Sequence, residues 1–272
     1  MNMNSIMAMS AHRNMVSNQM SLMRSLERLS SGQQINRAAD NAAGLAISEK
    51  MRSDIASFET ASRNAMDGIS LIQTAEGALT ETHSILNRMT ELTTRASNGV
   101  LNDQQRGILN EEFQALSSEL NRISQATNFN GRNLLDGSLS NGLTLQVGNT
   151  ADQHNRVNIS INNMGAGGLG LSGVDISSLE SAQSALSLIR DATNTVSSQR
   201  ASLGAMQNRQ EHTINSLGVT VENLMNAESR IRDTDMAREM MNFTRSNILT
   251  QASQAMLAQA NAVAGNFLSL LR

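Results

Sequence analysis

The sequence lacks residue types that many functional sites require. The 272-residue chain has no cysteine, so it offers no disulfide, no thiolate nucleophile and no cysteine metal site. It has no tryptophan or tyrosine and only five phenylalanines. Small-molecule pockets usually need aromatic walls, and base stacking needs aromatic faces. The composition therefore disfavours both a small-molecule enzyme and a protein that stacks on bases.

Proline is also absent, and charge is sparse. Average usage would give roughly 14 prolines, and a chain without them keeps its backbone donors and avoids helix kinks. The net charge is −3, Lys50 is the only lysine, and the arginines are scattered rather than clustered. This pattern gives no electrostatic case for nucleic acid. The longest apolar run near the start, Ile6 to Met9, is too short for a cleavable secretory signal.

The last 33 residues carry only two charges, Arg245 and Arg272. Amides and hydroxyls replace the lysine and glutamate that an exposed helix normally carries. The segment is too polar to span a membrane, yet it suits burial among other helices, where amides can be hydrogen-bonded. Its apolar side chains have helical spacing and include Leu249, Met256, Val263, Phe267 and Leu270.

The first 30 residues have the same character. A seven-residue repeat runs through Ala8, Met15, Leu22 and Leu29, and seven of the 17 methionines lie within the first 23 residues. Methionine is flexible and tolerates repacking against different neighbours. Both ends of the chain therefore resemble helices that pack against other helices. From the pattern alone, two helices that simply close one domain remain an alternative.

Between these ends, apolar residues spaced by three and four predict long helices. One should run from Ile55 to a stop at Gly99, and another should follow a capping box at Ser177–Glu180. Asn102 and Gln105 predict a further helix start between them. A glycine-rich stretch with alternating apolar residues predicts a β-hairpin at about 140–163. The expected fold is mainly α: an elongated antiparallel helical bundle or coiled coil, with paired terminal helices and a small mid-chain hairpin.

Sequence motifs of known catalytic, nucleotide and metal sites find no convincing match in this chain. Residues Gly165–Gly170 match GxGxxG, but a dinucleotide site needs a preceding parallel strand and a helix that starts on the glycines. The four histidines lack the spacing of a metal site. We expect no catalytic, cofactor or metal site. A dinucleotide-binding enzyme and a soluble coiled-coil adaptor remain the alternatives from other functional classes.

Two long motifs carry a specific resemblance. LSSGQQINRAADNAAGLAISEKMR (Leu29–Arg52) and ESRIRDTDMAREMMNFTRSNILTQASQAMLAQAN (Glu228–Asn261) closely resemble the terminal signatures of bacterial flagellin. The resemblance implies a structural protein, not an enzyme, that is secreted and self-assembles into the extracellular flagellar filament for motility. The hook–filament junction protein of the same superfamily is the alternative, although its match to QASQAMLAQAN is normally weaker.

The resemblance also implies a domain organisation. Residues 1–42 and 233–272 should pair as inner-tube helices, and residues 43–232 should form a helical rod, with no outer hypervariable domain. The terminal helices are expected to fold fully only on assembly. The predicted assembly interface comprises Met15, Leu22, Leu29, Leu249, Met256, Val263, Phe267 and Leu270.

The expected partners follow from the same family. The chain should bind copies of itself in a helical homopolymer, as well as cap and hook-associated proteins. The export apparatus and a secretion chaperone should bind the segment at about 236–271. Arg88, Leu92 and Glu111 match positions through which a host Toll-like receptor contacts flagellins. No cofactor, nucleic acid or membrane partner is expected.

Overall fold

The computed structural model describes the backbone of residues 3–270 and the side-chain surroundings of residues 6, 8–260 and 262. This part of the chain is mainly helical, and two pairs of short antiparallel strands lie between the third and fourth helices. The result confirms the predicted fold class. The helices are α1 (Met3–Ser31), α2 (Ala42–Ala96), α3 (Asp103–Ala126), α4 (Leu179–Arg232) and α5 (Met236–Leu270). The strands are β1 (Asn128–Phe129), β2 (Arg132–Asn133), β3 (Leu143–Gln146) and β4 (Arg156–Ile159).

The chain forms two compact units. Unit 1 comprises Met1–Ile55 and Glu222–Arg272, and unit 2 comprises Ala56–Val221. Helices α2 and α4 each contribute residues to both units. The domain borders predicted from the sequence, at residues 42/43 and 232/233, concern the assembled filament and stay a prediction.

Unit 2 holds the large hydrophobic core. Apolar residues at the three-and-four spacing on α2, α3 and α4 pack together, and the strand region covers part of them. Burying each such side chain contributes about 1.5–3 kcal/mol. The fully buried side chains include Leu79, Leu86, Phe113, Leu120, Ile159, Ile189 and Val196.

The predicted start of α3 is confirmed in detail. The side-chain oxygen of Asn102 accepts a hydrogen bond from the backbone N–H of Gln105 at 2.8 Å. In return, Gln105 Oε1 accepts from the backbone N–H of Asn102 at 3.1 Å. This reciprocal pair satisfies backbone donors that a helix start leaves free.

The capping box of α4 lies one residue further along than Ser177–Glu180, so that prediction was wrong. Ser178 Oγ accepts from the N–H of Ser181, and Ser181 Oγ accepts from the N–H of Ser178, both at 3.2 Å. The hydroxyl of Ser177 instead donates to the carboxylate of Asp175 at 2.7 Å. The carboxylate of Asp175 also accepts from the backbone N–H of Ser177 at 2.8 Å, so Ser177 lies in the turn before the helix and Ser178 takes the cap position.

The end of α2 also differs from the prediction. The helix ends at Ala96 rather than at Gly99, and Gly99 does not adopt the left-handed conformation of a glycine cap. A buried arginine of α3 closes this end instead. Arg106 donates from Nε to the Ala96 carbonyl at 2.9 Å and from Nη2 to the Asn98 carbonyl at 3.1 Å.

The predicted hairpin is confirmed as the antiparallel pair β3–β4, in register from Leu143↔Ile159 to Gln146↔Arg156. It packs on α2, where Asn64 Nδ2 donates to the Gln146 carbonyl at 3.0 Å. The smaller β1–β2 pair was not predicted. Its turn, Asn130–Gly131, has φ values of 49° and 76°, which fit a type I′ turn. The Asn-Gly dipeptide was therefore an available signal.

Candidate assembly interface

Helices α1 and α5 pair within unit 1, as predicted for the two ends of the chain, and their Cα atoms approach within 8 Å. The pairing begins where residues 32–34 meet residues 232–234 in a short antiparallel bridge. There the N–H of Thr234 donates to the carbonyl of Gly32 at 3.0 Å. Gly32 ends α1 with φ 71°, a conformation that glycine adopts without strain.

Polar side chains make the specific contacts between α1 and α5. Asn18 Nδ2 donates to the hydroxyl of Ser253 at 3.3 Å. Near the bridge, Arg28 Nη1 lies 3.9 Å from Glu239 Oε2, and the Glu239 side chain is only 8% exposed. The α1–α5 seam therefore resembles the amide- and hydroxyl-rich packing that the sequence indicates for the chain ends.

The α1–α5 pair contains little buried apolar surface. Among the side chains described in these two helices, none of the hydrophobic ones is fully buried. The buried ones are Ser25, Glu239 and Thr250. Unit 2 differs sharply, since leucine, isoleucine and phenylalanine fill its core. The contact between α1 and α5 thus leaves its apolar side chains, such as Met15, Leu22 and Leu29, only half-buried, so it gains less from burial than a fully packed core does.

Most of the large apolar side chains of α1 and α5 are exposed. At about 100° per residue, Met9, Val16 and Met23 lie on the side of α1 opposite Asn18, and Met241 and Ile248 lie on the side of α5 opposite Thr250. In the described part of the chain, no helix is both long and apolar enough to cross a membrane. The exposed set comprises Ile6, Met9, Val16, Met20, Met23 and Leu26 on α1 and Met236, Met240, Met241, Ile248, Leu249 and Met256 on α5.

On α5 the exposed apolar side chains form a shallow groove of about 560 Å³. Its single charged lining residue is Arg245. The other lining residues are Met240, Met241, Thr244, Ile248 and Leu249. The groove therefore offers a largely apolar surface on a helix that carries few charges.

The structure divides the predicted interface residues into two sets. Met15, Leu22 and Leu29 are half-buried and share the α1 face of Asn18, which contacts α5. Leu249 and Met256 are exposed, by 45% and 61%. The side chains of the other three predicted residues, Val263, Phe267 and Leu270, lie outside the described residues.

The heptad count identified the helices but not the outward side of α1. Met9, Val16 and Met23 also recur every seven residues, one position after the predicted repeat. They are 57%, 38% and 60% exposed. This second repeat has the same spacing as the first, so the sequence did not distinguish the outward face from the face that contacts α5.

A second ion pair ties α2 to α4 within unit 1. Arg232 Nη1 lies 2.6 Å from Glu49 Oε1, and the arginine side chain is only 12% exposed. The hydrogen bond from Arg232 is the main cause that lowers the pKa of the Glu49 carboxyl. The pair therefore favours the ionised carboxylate beside the bridge that joins the two chain ends.

The residues that match receptor contacts lie in unit 2 and do not form one exposed patch. Arg88 donates to Glu112 at 2.9 Å and to Glu91 at 2.8 Å, and both acceptors raise the pKa of Arg88. Leu92 is fully buried, whereas Glu111 is exposed. The structure thus places Glu112, rather than Glu111, beside Arg88.

The glycine-rich segment Gly165–Gly170 is a packed loop between an antiparallel strand and α4. The N–H of Ala166 donates to Asn121 Oδ1 at 3.0 Å, so α3 already holds this part of the backbone. The next helix begins at Leu179, well after the glycines. A dinucleotide site needs a parallel strand before the glycines and a helix that starts on them. Here an antiparallel strand precedes the loop and the helix starts later.

These features define a helical structural protein whose terminal helices pair through polar groups and turn apolar side chains outward. Two family models match the chain. The bacterial flagellin N-terminal helical region matches residues 2–140, and the bacterial flagellin C-terminal helical region matches residues 186–271. The chain belongs to the bacterial flagellin family, which is a family of structural proteins rather than enzymes.

Curated relatives match over nearly the whole chain. A flagellin of Halalkalibacterium halodurans is 52% identical over 265 residues, which are 97% of each chain. A flagellin of Bacillus subtilis is 47% identical over 98% of each chain. The flagellar filament 30.7 kDa core protein of Treponema maltophilum is 45% identical over 90% of each.

Solved structures agree on the fold. The crystal structure of Bacillus cereus flagellin aligns with a TM-score of 0.51 and 26% identity, covering 57% of this chain and 88% of that one. A structure from Vibrio parahaemolyticus, provisionally assigned as a flagellar hook-associated protein, aligns with a TM-score of 0.60 at 12% identity. It covers 71% of this chain and 100% of its own. The second likeness shows a shared fold only, so it does not favour the hook–filament junction alternative.

Proposed function

We propose that this chain is the structural subunit of a bacterial flagellar filament and that copies polymerise through the outward apolar sides of α1 and α5. Membership of the flagellin family supports the filament role. So do the curated relatives named flagellins and flagellar filament core proteins. The observation that supports this assembly surface is that α1 and α5 pair while most of their large apolar side chains among the described residues remain exposed.

The energetics of these helices favour assembly that is coupled to folding. Ordering one backbone residue costs roughly 1–2 kcal/mol, and α1 and α5 contain 29 and 35 residues. Burying a leucine or methionine returns about 1.5–3 kcal/mol. The α1–α5 seam fully buries none of the hydrophobic side chains described in the two helices. Neighbouring copies would supply the missing contacts by covering residues such as Met241 and Ile248.

One repeated contact between unlike surfaces produces a helical polymer when the rotation between copies does not close a ring. In that polymer, residues 1–42 and 233–272 form the inner helical layer. Val263, Phe267 and Leu270 stay predicted members of the assembly interface, and their side chains lie outside the described residues. The filament is extracellular, so the chain reaches it by secretion through the flagellar export apparatus.

The same surface accounts for the further partners. A secretion chaperone would cover the apolar side of α5, at about residues 236–271, before export, and cap and hook-associated proteins would contact subunits at the filament ends.

Recognition by a host Toll-like receptor would use a different surface, in unit 2, which includes the exposed Glu111 and the partly exposed Arg88. Leu92 would support that surface from within the core, since it is fully buried.

Replacement of Met256 tests the assembly surface. Met256→Asp places a charge on a side chain that is 61% exposed in the subunit, so the subunit should fold but fail to elongate sheared filament seeds. Met256→Leu, the matched control, keeps the apolar surface and should elongate them. Electron microscopy and sedimentation measure elongation, and circular dichroism measures folding. Normal filaments from the folded Asp variant would contradict the proposal.

A further inference from the structure

Methionine provides all the sulfur chemistry of this chain. The sequence has 17 methionines, no cysteine, no tryptophan and no tyrosine. Thioethers are therefore the side chains most readily oxidised here, and they convert reversibly to sulfoxides. The structure sorts the methionines by accessibility. Met89 and Met164 are buried in unit 2, at 0% and 1% exposure, whereas Met240, Met241 and Met256 of α5 are 50%, 64% and 61% exposed.

We propose that Met240, Met241 and Met256 form a peroxide-sensitive modification site that switches polymerisation off reversibly. This inference rests on the proposed function, because it assigns regulation to the same assembly surface. The thioether sulfur attacks one peroxide oxygen, the S–O bond forms as the O–O bond breaks, and the second oxygen leaves in water. Each methionine loses two electrons and the peroxide gains them, so no further reductant or oxidant is needed.

Because these thioethers are exposed in the subunit, their oxidation should affect assembly without disturbing the fold. Met240 and Met241 line the groove of α5 together with Ile248 and Leu249. Met256 follows on the exposed part of the same helix. A sulfoxide on these exposed side chains meets water in the isolated subunit, so the fold loses no core contact. In a polymer that covers the groove, the polar sulfoxide oxygen must be desolvated, and Arg245 is the single charged residue that lines the groove.

Assembly should therefore respond to oxidation while the fold does not. Desolvation of an unpaired polar group raises the critical concentration for polymerisation about tenfold or more. Filaments that are already assembled should resist the same treatment, because the proposed contact covers the three thioethers. The modification thus acts on free subunits.

Peroxide treatment of the full chain tests the inference. Dissociated subunits are treated with hydrogen peroxide, the peroxide is removed with catalase, and peptide mass spectrometry maps the sulfoxides. Seeded elongation is then measured before and after repair with methionine sulfoxide reductases A and B. The decisive variant is Met240→Leu/Met241→Leu/Met256→Leu, which keeps apolar volume but cannot be oxidised at these positions. The control is Met66→Leu/Met225→Leu on α2 and α4, whose thioethers are also exposed but lie outside the proposed assembly surface.

The inference expects sulfoxide at the three α5 positions, thioether at Met89 and Met164, and loss of elongation that repair restores. The α5 variant should elongate seeds better than wild type after peroxide treatment, although oxidised methionines of α1 remain on the proposed assembly surface, and the Met66→Leu/Met225→Leu variant should not. Full elongation by wild-type subunits that are oxidised at all three α5 positions would overturn the inference. Protection by the Met66→Leu/Met225→Leu variant instead of the α5 variant would also overturn it. Untreated wild-type subunits that never elongate seeds would contradict the proposed function itself.

Discussion

The side-chain amide of Asn18 in α1 donates a hydrogen bond to the hydroxyl of Ser253 in α5 at 3.3 Å. This contact joins the two ends of the chain through polar groups, where an ordinary helix pair would use leucine or isoleucine. Met15, Leu22 and Leu29 share the Asn18 face and are half-buried, whereas other large apolar residues, such as Met9 on α1 and Ile248 on α5, are exposed. The terminal helices consequently have a partner that positions them and an apolar surface that further copies can cover.

The Asn18–Ser253 contact can be replaced without loss if both partners become apolar. Ser253→Ala alone leaves the Asn18 amide without its acceptor and should destabilise the α1–α5 pair by about 0.5–1.5 kcal/mol. Asn18→Leu combined with Ser253→Ala should be neutral or stabilising, because no polar group is left unpaired. Hydrogen exchange of α1 amides in assembled filaments, where the account expects these amides to be protected, measures both changes. Equal destabilisation by the single and the double variant would show that the contact does not behave as a pair.

Gly68 of α2 lies where the β3–β4 hairpin packs. A Cβ atom at this position would collide with Leu145 Cδ1, so Gly68→Ala should destabilise unit 2 by about 1–3 kcal/mol through overpacking. Gly77 is the matched control on the same helix, since a Cβ there meets nothing within 4 Å. Gly77→Ala should stabilise the helix by about 0.5–1 kcal/mol. Urea unfolding measures both, and a shift of the same sign for the two variants would contradict the packing argument.

Arg106 and Arg122 offer a second matched pair on α3. Each contacts an acidic residue three positions earlier, but only Arg106 is buried and donates to the Ala96 and Asn98 carbonyls. Arg106→Ala should destabilise unit 2 by about 1.5–3 kcal/mol. Arg122→Ala removes an exposed ion pair and should leave stability nearly unchanged. Similar losses for both variants in urea unfolding would refute the assigned role of Arg106 in closing α2.

The ion pair of Glu49 and Arg232 should make unit 1 sensitive to acid. Because Arg232 lowers the pKa of Glu49 below its ordinary 4.5 in the folded state, the pair stabilises above that value. Its contribution disappears as the pH falls through the lower folded pKa. Glu49→Gln should therefore lower the thermal unfolding temperature at pH 7, and this difference from wild type should shrink progressively as the pH is lowered below 4.5. Lys50→Gln, which removes the neighbouring charge, should show no such pH-dependent difference when unfolding is followed by circular dichroism.

The sequence predicted the long helices and the β3–β4 hairpin because their periodicity is local and repeats many times. It also predicted the α3 cap, since Asn102 and Gln105 satisfy each other across three residues. It misplaced the α4 cap by one residue, because Asp175 accepts from both the N–H and the hydroxyl of Ser177 and holds that residue in the turn before the helix. The path of this turn depends on long-range packing, for example the burial of Ile176.

The orientation of α1 was harder to predict than its existence. Two seven-residue repeats, one through Met15 and one through Met9, run one residue apart along the helix. Periodicity alone does not reveal which repeat faces α5, because that choice depends on residues more than 200 positions away, such as Ser253. For the same reason, a motif match could not show that Leu92 lies in the core while Arg88 remains partly exposed.

Hydrogen–deuterium exchange of the amides in residues 3–31 and 236–270 tests the central claim most directly. The experiment compares assembled filaments with dilute subunits that size-exclusion chromatography shows to be monomeric. If copies of the chain supply the apolar contacts that α1 and α5 lack, both segments should exchange rapidly in the subunit and become protected in the filament, while the core of unit 2 stays protected in both. Equally slow exchange of the two segments in isolated subunits would contradict the account.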